Sequence, residues 1–137
     1  ILGDELGTGG FSVVKEATSK ADGEKYAVKI IDKSVIKEDI KLLKREIEIM
    51  KRVDHKNILK LHEIFEDDEK VYIVMELVNG SELFDRIVEK GFYSERNAMN
   101  VVRQILDAVA YLHSKDIAHR DLKPENRKTG LYLLLTL

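Results

Sequence analysis

One octapeptide near the end of the chain constrains its fold more than any other feature. His-Arg-Asp-Leu-Lys-Pro-Glu-Asn occupies residues 119–126 and has the form H-R-D-L-x-x-x-N. It places a carboxylate, an ammonium and an amide, from Asp121, Lys123 and Asn126, on one short loop. A charged surface turn in which Pro124 breaks the chain is the simpler interpretation. Eight residues in this order, directly after a long predicted helix, argue against it and predict a chemical role for the loop.

The composition excludes several classes of function. With 44% hydrophobic and 35% charged residues, the 137-residue chain is typical of a globular domain or two small lobes. The net charge of −2 argues against a nucleic-acid partner, and no apolar run is long enough to predict a membrane span. There is no cysteine, which excludes disulfides and thiolate metal sites. We expect no nucleic-acid or membrane partner, with the cytoplasm as the default location. Ile1 already lies in an apparent strand, so further sequence is expected upstream.

The first part of the chain predicts an antiparallel sheet with one helix. A first strand is predicted at the start of the chain, where Ile1 lies, and four more are predicted at Phe11–Thr18, Lys25–Ile31, Ile58–Phe65 and Lys70–Leu77. Asp22-Gly23 predicts a tight turn, because this dipeptide tolerates positive φ. A helix is predicted over residues 38–52, where apolar residues recur at spacings of 3 and 4, namely Ile40, Leu43, Ile47 and Met50.

The second part predicts helices only. After a linker at residues 79–81, a short helix is expected from 82 to about 90, and Ser94 is a predicted N-cap for a helix running to Ser114. The apolar stripe of that helix is Ala98, Val101, Ile105, Val109 and Leu112. Without further packing elements this stripe would stay partly exposed, which predicts low solubility. We divide the chain into 1–78, 79–126 and a divergent apolar tail at 127–137.

The loop between the first two strands is rich in glycine. Gly7, Gly9 and Ser12 form a G-x-G-x-x-S pattern followed by a strand. Small residues let backbone N–H groups approach phosphate oxygens closely. In a dinucleotide-binding oxidoreductase the glycines would lead into a helix, and here they lead into a strand. From these residues alone, a phosphate cover and a plain hairpin both stay open.

A lysine lies among apolar neighbours in the third predicted strand. Tyr-Ala-Val-Lys ends at Lys29, and an unpaired ammonium at such a position loses hydration. Glu46, at the edge of the helical stripe, is the candidate partner. One interpretation is a Lys29–Glu46 ion pair that directs the ammonium at phosphates. The other is a lysine that extends to solvent and an exposed acid, and both stay open.

With these three motifs in order, the chain resembles the eukaryotic protein kinases. Within them, it is similar to the calcium/calmodulin-dependent type of serine/threonine kinase over residues 1–126. The closer likeness lies in Met-Glu-Leu-Val-Asn-Gly-Ser-Glu-Leu-Phe-Asp-Arg-Ile at 75–87, in Gly-Phe-Tyr-Ser-Glu at 91–95 and in Leu-Lys-Pro-Glu-Asn at 122–126. The resemblance implies an α+β, protein-kinase-like fold. The N-lobe would bind ATP and consist of a five-stranded antiparallel sheet with one helix. The C-lobe would be helical and incomplete.

The resemblance also implies a set of site residues. Asp121 would accept the proton of a protein Ser or Thr hydroxyl, Lys123 would neutralise the transferring phosphate, and Asn126 would bind Mg²⁺. Lys29 and Glu46 complete the catalytic set. The residues implied to contact ATP are Leu6, Gly7, Gly9, Ser12, Val14, Ala27, Lys29, Met75, Glu76, Val78 and Glu82, where Glu76 would use its carbonyl and Val78 its amide.

The sequence departs from the family after Asn126. The family continues with a magnesium-binding Asp-Phe-Gly, whereas residues 127–137 contain no aspartate. We therefore expect a partial catalytic domain that transfers the γ-phosphate of ATP to a protein hydroxyl. The alternative is a catalytically dead kinase-like module that binds nucleotide or partners. Calmodulin would be a partner of a full-length parent only.

Overall fold

The computed structural model describes residues 1–10, 12–78, 94–119, 122, 127–128 and 132–133. Within them the chain forms seven strands and two helices in the order β1 (Leu2–Thr8), β2 (Ser12–Thr18), β3 (Lys25–Asp32), α1 (Ile40–Lys51), β4 (Leu61–Glu66), β5 (Lys70–Glu76), α2 (Glu95–Ser114), β6 (Arg127–Lys128) and β7 (Tyr132–Leu133). The predicted short helix from residue 82 lies outside the described residues.

The first five strands form one antiparallel sheet in the order β1-β2-β3-β5-β4. This confirms the predicted five-stranded sheet with one helix. β3 lies at its centre, and β1 and β4 are the edge strands. Val14, on β2, is paired with Lys29 on β3, and Lys29 is paired with Ile73 on β5. Since directly paired residues project from the same face, this register places the Lys29 side chain beside Val14 and the fully buried Ile73.

Two local predictions in this part are confirmed. Gly23 has φ 77°, in the left-handed region that favours glycine, and it closes the turn between β2 and β3. Helix α1 buries Leu43, Ile47 and Met50, three of the four residues of the predicted stripe, while Ile40 is half-buried. The helix is therefore fixed through one apolar face, with charged residues on the rest of its surface.

The start of β4 was predicted wrongly. The strand begins at Leu61 rather than at Ile58. Ile58 and Leu59 are buried, but the Ile58 amide donates to the His55 carbonyl in a turn (3.0 Å). Ile58 belongs to a cluster with Val53, Ala108 and Leu112, so its apolar character reflects packing against α2 rather than a place in the sheet.

The chain divides into two compact units. The first comprises Ile1–Lys51 and Lys60–Leu77, and the second comprises Arg52–Leu59 and Val78–Leu137. The segment 52–59, which joins α1 to β4, thus belongs to the second unit although both elements belong to the first. Among the described residues, no helix is long and apolar enough to cross a membrane.

Helix α2 is the main described element of the second unit. Ser94 is its N-cap, as predicted, and the Ser94 hydroxyl accepts the Asn97 amide hydrogen (3.2 Å). Its buried residues are Ala108 and Leu112. The predicted stripe is only partly right. Of its members only Leu112 is buried and the others are half-buried, while the buried Ala108 was not predicted.

The tail also contains structure that the sequence did not predict. Strands β6 and β7 form a two-stranded antiparallel sheet in which Arg127 pairs with Leu133, and Lys128 with Tyr132.

Candidate functional site

Lys29 occupies the central strand of the sheet in the first unit. Its side chain is half-buried, and burial lowers the pKa of its amine below the ordinary value because the charged form loses hydration. The Glu46 carboxylate acts in the opposite direction and favours the ammonium. A half-buried lysine under the electrostatic influence of a carboxylate is a candidate for binding an anionic group.

Helix α1 explains how Glu46 reaches this position. Glu46 lies beside Ile47 and one turn before Met50, both buried, while its own side chain is half-buried. The residues that fix α1 therefore also fix the carboxylate. Both residues belong to the first unit, and the Glu46 carboxylate acts electrostatically on the Lys29 amine, while the ion pair itself stays a prediction.

The glycine-rich loop lies at the β1–β2 connection. The Gly9 amide donates to the Ser12 carbonyl (2.7 Å) and closes the turn. A Cβ on Gly9 would lie 3.2 Å from the Ser12 hydroxyl, a tight contact, whereas a Cβ on Gly7 would meet no atom of the described residues within 4 Å. Among the described residues, only Gly23 is a glycine with positive φ. Within the described part of the chain, neither backbone conformation nor packing therefore demands glycine at position 7, and the described residues leave the space beside it open to a ligand.

The predicted apolar contacts lie around Lys29 on the sheet. Ala27 is directly paired with Met75, and both are buried. Ala27 and Lys29 are two residues apart, so they project from the same face of β3, as does Val14 through its pairing with Lys29. Leu6 is exposed and lies where the β1–β2 register shifts between Glu5 and Gly7. The register thus gathers three of these four side chains on one face.

The remaining predicted residues lie at the end of β5 or outside the described residues. Glu76 is paired with Tyr26, and its amide donates to the Lys60 carbonyl (3.0 Å). Val78 is half-buried and belongs to the second unit. Four predicted residues lie outside the described part of the chain, namely Glu82, Asp121, Lys123 and Asn126. Their roles stay predictions, and the described residues contain no cluster of three or more His, Cys, Asp or Glu side chains that could hold a metal ion.

A polar cluster in the second unit was not predicted. The Asn57 amide group donates to Gln104 (3.0 Å), the Asp54 backbone amide donates to the Tyr111 hydroxyl (3.0 Å), and the Tyr111 ring stacks on His55 (4.9 Å between centroids). These contacts join the segment 52–59 to α2. The available signal was the spacing of 3 and 4 between Gln104, Asp107 and Tyr111, which marks a polar stripe beside the apolar one.

Asp107 extends this cluster through charge. Its carboxylate lies 3.0 Å from the Lys56 ammonium and 3.7 Å from Nε2 of His55. The Lys56 ammonium, with smaller contributions from His55 and Arg103, holds the pKa of Asp107 below its usual range. Since the pair is exposed, it orients the segment rather than contributing much stability.

Comparison with known proteins places these features in a wider context. Residues 2–127 match the family described as "Protein kinase domain". A probable myosin light chain kinase of Dictyostelium discoideum is 58% identical over 127 residues, covering 92% of this chain and 40% of the relative. The calcium/calmodulin-dependent protein kinase type 1 of Macrobrachium nipponense is 52% identical over 127 residues, covering 92% of this chain and 37% of the relative.

A solved structure gives the same result in three dimensions. The crystal structure of Rad53 residues 1–466 in complex with AMP-PNP superposes with a TM-score of 0.87 at 38% identity, covering 92% of this chain and 34% of that one. The chain therefore spans well under half the length of the relatives that it matches.

Proposed function

Since the chain belongs to the protein kinase family, we propose that it provides the ATP-binding sheet and the catalytic loop of a serine/threonine protein kinase. Protein substrates follow from the family, and the sequence likeness to calcium/calmodulin-dependent kinases supports Ser or Thr hydroxyls as acceptors. The single observation that carries the proposal is the half-buried Lys29, placed on the central strand within the influence of Glu46.

The residues around Lys29 fit an adenine nucleotide. The open space beside Gly7 admits a phosphate close to the backbone. The Lys29 ammonium supplies positive charge from β3, where Lys29 pairs with Val14, the residue of β2 that also pairs with Gly7. Val14, Ala27 and Met75 supply the apolar surface for the base. When bound, ATP supplies the phosphoryl group, and Mg²⁺ neutralises its charge.

The catalytic loop supplies the remaining groups of the proposal. Asp121 accepts the proton of the acceptor hydroxyl, Lys123 stabilises negative charge on the transferred group, and Asn126 holds the metal through its amide oxygen. These roles rest on the order of residues 119–126 and on the family, since the three residues lie outside the described part of the chain.

Nucleotide binding is tested first with Lys29→Met. This substitution keeps the length of the side chain and removes its charge, so we expect ATP affinity to fall at least about tenfold, equivalent to about 1.4 kcal/mol. Isothermal titration with ATP and Mg²⁺ measures the change. Lys25→Met is the matched control, because Lys25 lies on the same strand but is exposed and pairs with Glu16 at 2.7 Å. Equal affinities for the wild type and Lys29→Met would refute the proposed site.

Phosphoryl transfer is tested separately, with a basic Ser-containing peptide and γ-labelled ATP. We expect Asp121→Asn to abolish transfer while nucleotide binding persists, because the base acts on the acceptor rather than on ATP. Binding of nucleotide without turnover is the alternative outcome of this experiment. Binding that depends on Lys29, together with no transfer by the wild type, would establish a nucleotide-binding module instead.

Calmodulin regulation is proposed only for a longer protein that contains this chain. The support is the likeness to a calcium/calmodulin-dependent kinase, of which this chain spans 37%. No described residue of the chain is assigned to calmodulin.

A further inference from the structure

The Glu66 carboxylate, at the end of β4, contacts two lysines from different elements. Its Oε1 atom lies 2.6 Å from Nζ of Lys33, which follows β3, and 3.7 Å from Nζ of Lys44, which lies on α1. The two ammonium groups, with Lys33 contributing more, hold the pKa of the Glu66 carboxyl below its usual range. One carboxylate therefore joins the ends of β3 and β4 to α1.

Lys33 fixes this carboxylate to the sheet. The Lys33 backbone amide donates to the Glu69 carbonyl (2.8 Å), and the Lys33 ammonium donates to the Asp67 carbonyl in the β4–β5 turn. The Lys33 side chain is only 17% exposed, whereas that of Lys44 is 62% exposed. Lys33 thus keeps Glu66 in place, and the contact with Lys44 links it to the helix.

Glu66 lies on the same face of the sheet as Lys29. It is paired with Val71 on β5, and Val71 is paired with Ile31 on β3. Ile31 is two residues after Lys29, so the two side chains project from one face of the strand. The face that carries the Lys29 amine therefore also carries the carboxylate that contacts α1.

The first half of α1 has the weaker apolar attachment. Of the three buried residues of the helix, Leu43 lies in the first half, while Ile47 and Met50 lie in the second. The connection before the helix is exposed at residues 34, 35 and 37–39. Lys44 lies in this first half, two residues before Glu46. Its contact with Glu66 thus adds a charged attachment where apolar packing is sparse.

We propose that Glu66 is a positioning residue for Lys29: it holds the first half of α1 against the sheet and so keeps the Glu46 carboxylate where it acts on the Lys29 amine. This role rests on the proposed function, in which the Lys29 ammonium binds phosphate. Exposed charge pairs add little to the stability of a fold. The effect of Glu66 should therefore be seen at Lys29 rather than in the free energy of unfolding.

The state of the Lys29 amine can be measured without nucleotide. Nuclear magnetic resonance of the chain labelled with ¹³C-lysine follows its titration, and the signal of Lys29 is the one lost in Lys29→Met. We expect Glu66→Gln to lower the pKa of Lys29, because the Glu46 carboxylate then opposes the effect of burial less strongly. In a chain that already carries Glu46→Gln, Glu66→Gln should lower it no further.

A second substitution removes the helix side of the contact. Lys44→Gln should lower the pKa of Lys29 as Glu66→Gln does, and its exposed position makes it suitable even if Glu66→Gln fails to fold. Lys41→Gln is the matched control, since Lys41 is also an exposed lysine on α1 and should leave the pKa of Lys29 unchanged. Urea denaturation should give similar midpoints for Lys44→Gln and Lys41→Gln.

Three results would overturn the positioning role. One is a pKa of Lys29 that neither Glu66→Gln nor Lys44→Gln changes. Another is an equal fall with and without Glu46→Gln, which would show that Glu66 acts on Lys29 directly. The third is an equal fall in Lys41→Gln. Since these titrations contain no ATP, their outcome is separate from the test of nucleotide binding, where ATP affinity unchanged by Lys29→Met would refute the proposed function alone.

Discussion

At the scale of single residues, Lys29 combines two opposed influences. Burial removes water from its ammonium and lowers its pKa, while the Glu46 carboxylate restores part of the preference for the charged form. A folded-state pKa below the unfolded one means that the unfolded chain binds more protons between the two values. The contribution of this group to stability therefore rises with pH across that window, whose upper end is the ordinary lysine pKa of about 10.4.

The same shift predicts a pH dependence for nucleotide binding. The ammonium is the form that attracts phosphate, so ATP affinity should begin to fall at a lower pH than an exposed lysine would give. Glu46→Gln removes the carboxylate that opposes burial, so the pKa of Lys29 should fall further. ATP affinity should then begin to fall at a still lower pH. Titrations of ATP affinity between pH 7 and about 10.5 measure both.

Glu48→Gln is the control for that experiment. Glu48 lies on the same helix but is exposed and pairs with Lys51 at 2.7 Å, so its substitution should leave the profile in place. Identical profiles for the wild type and Glu46→Gln would show that the carboxylate does not act on Lys29. A pH dependence that persists in Lys29→Met would assign it to a different group.

At the scale of secondary structure, the end of a helix can be tested most directly. The Ser94 hydroxyl satisfies one of the four free amide groups at the start of α2. We expect Ser94→Ala to lower the free energy of unfolding by about 1 kcal/mol and Ser94→Asp to keep it near the wild-type value, because aspartate also caps. Urea denaturation followed by circular dichroism gives both numbers. A loss of stability as large in Ser94→Asp as in Ser94→Ala would contradict the capping role.

Sequence patterns predicted elements best where one physical cause acts alone. The stripe of α1 and the Ser94 cap follow from helical spacing and local hydrogen bonding, and both were predicted. The start of β4 was not predicted, because Ile58 is buried in a cluster with Ala108 and Leu112, which are distant in sequence, and not in the sheet. Apolar character marks burial without saying which element supplies the other side.

The candidate site likewise contains residues that sequence patterns identified, and the polar cluster of the second unit contains contacts that they missed. Sequence patterns singled out Lys29, Glu46 and the glycine loop but left their roles open. The resemblance to the protein kinases implied those roles, which stay predictions. The polar contacts of Asn57 and Tyr111 were missed, since each is formed between residues far apart in the chain. No local pattern identifies a hydrogen bond that spans about fifty residues.

At the scale of the whole molecule, one buried isoleucine in each unit allows the stability of the two units to be tested separately. Ile73 is fully buried on β5 in the first unit, and Ile58, 2% exposed, is buried in the cluster of the second. The substitutions Ile73→Val and Ile58→Val each remove one methylene, and each should cost about 0.5–1.5 kcal/mol. The costs are similar, but the regions that lose protection should differ.

Hydrogen exchange read along the chain distinguishes the two. We expect Ile58→Val to speed exchange of the amides of α2 and to leave β3 and β5 near their wild-type rates, although residue 58 lies between α1 and β4 in sequence. Ile73→Val should do the reverse. Each unit has its own buried residues, so loss of packing in one should open that unit first. If both variants raise exchange equally throughout the chain, the two units unfold as one cooperative unit. The segment 52–59 then couples their unfolding.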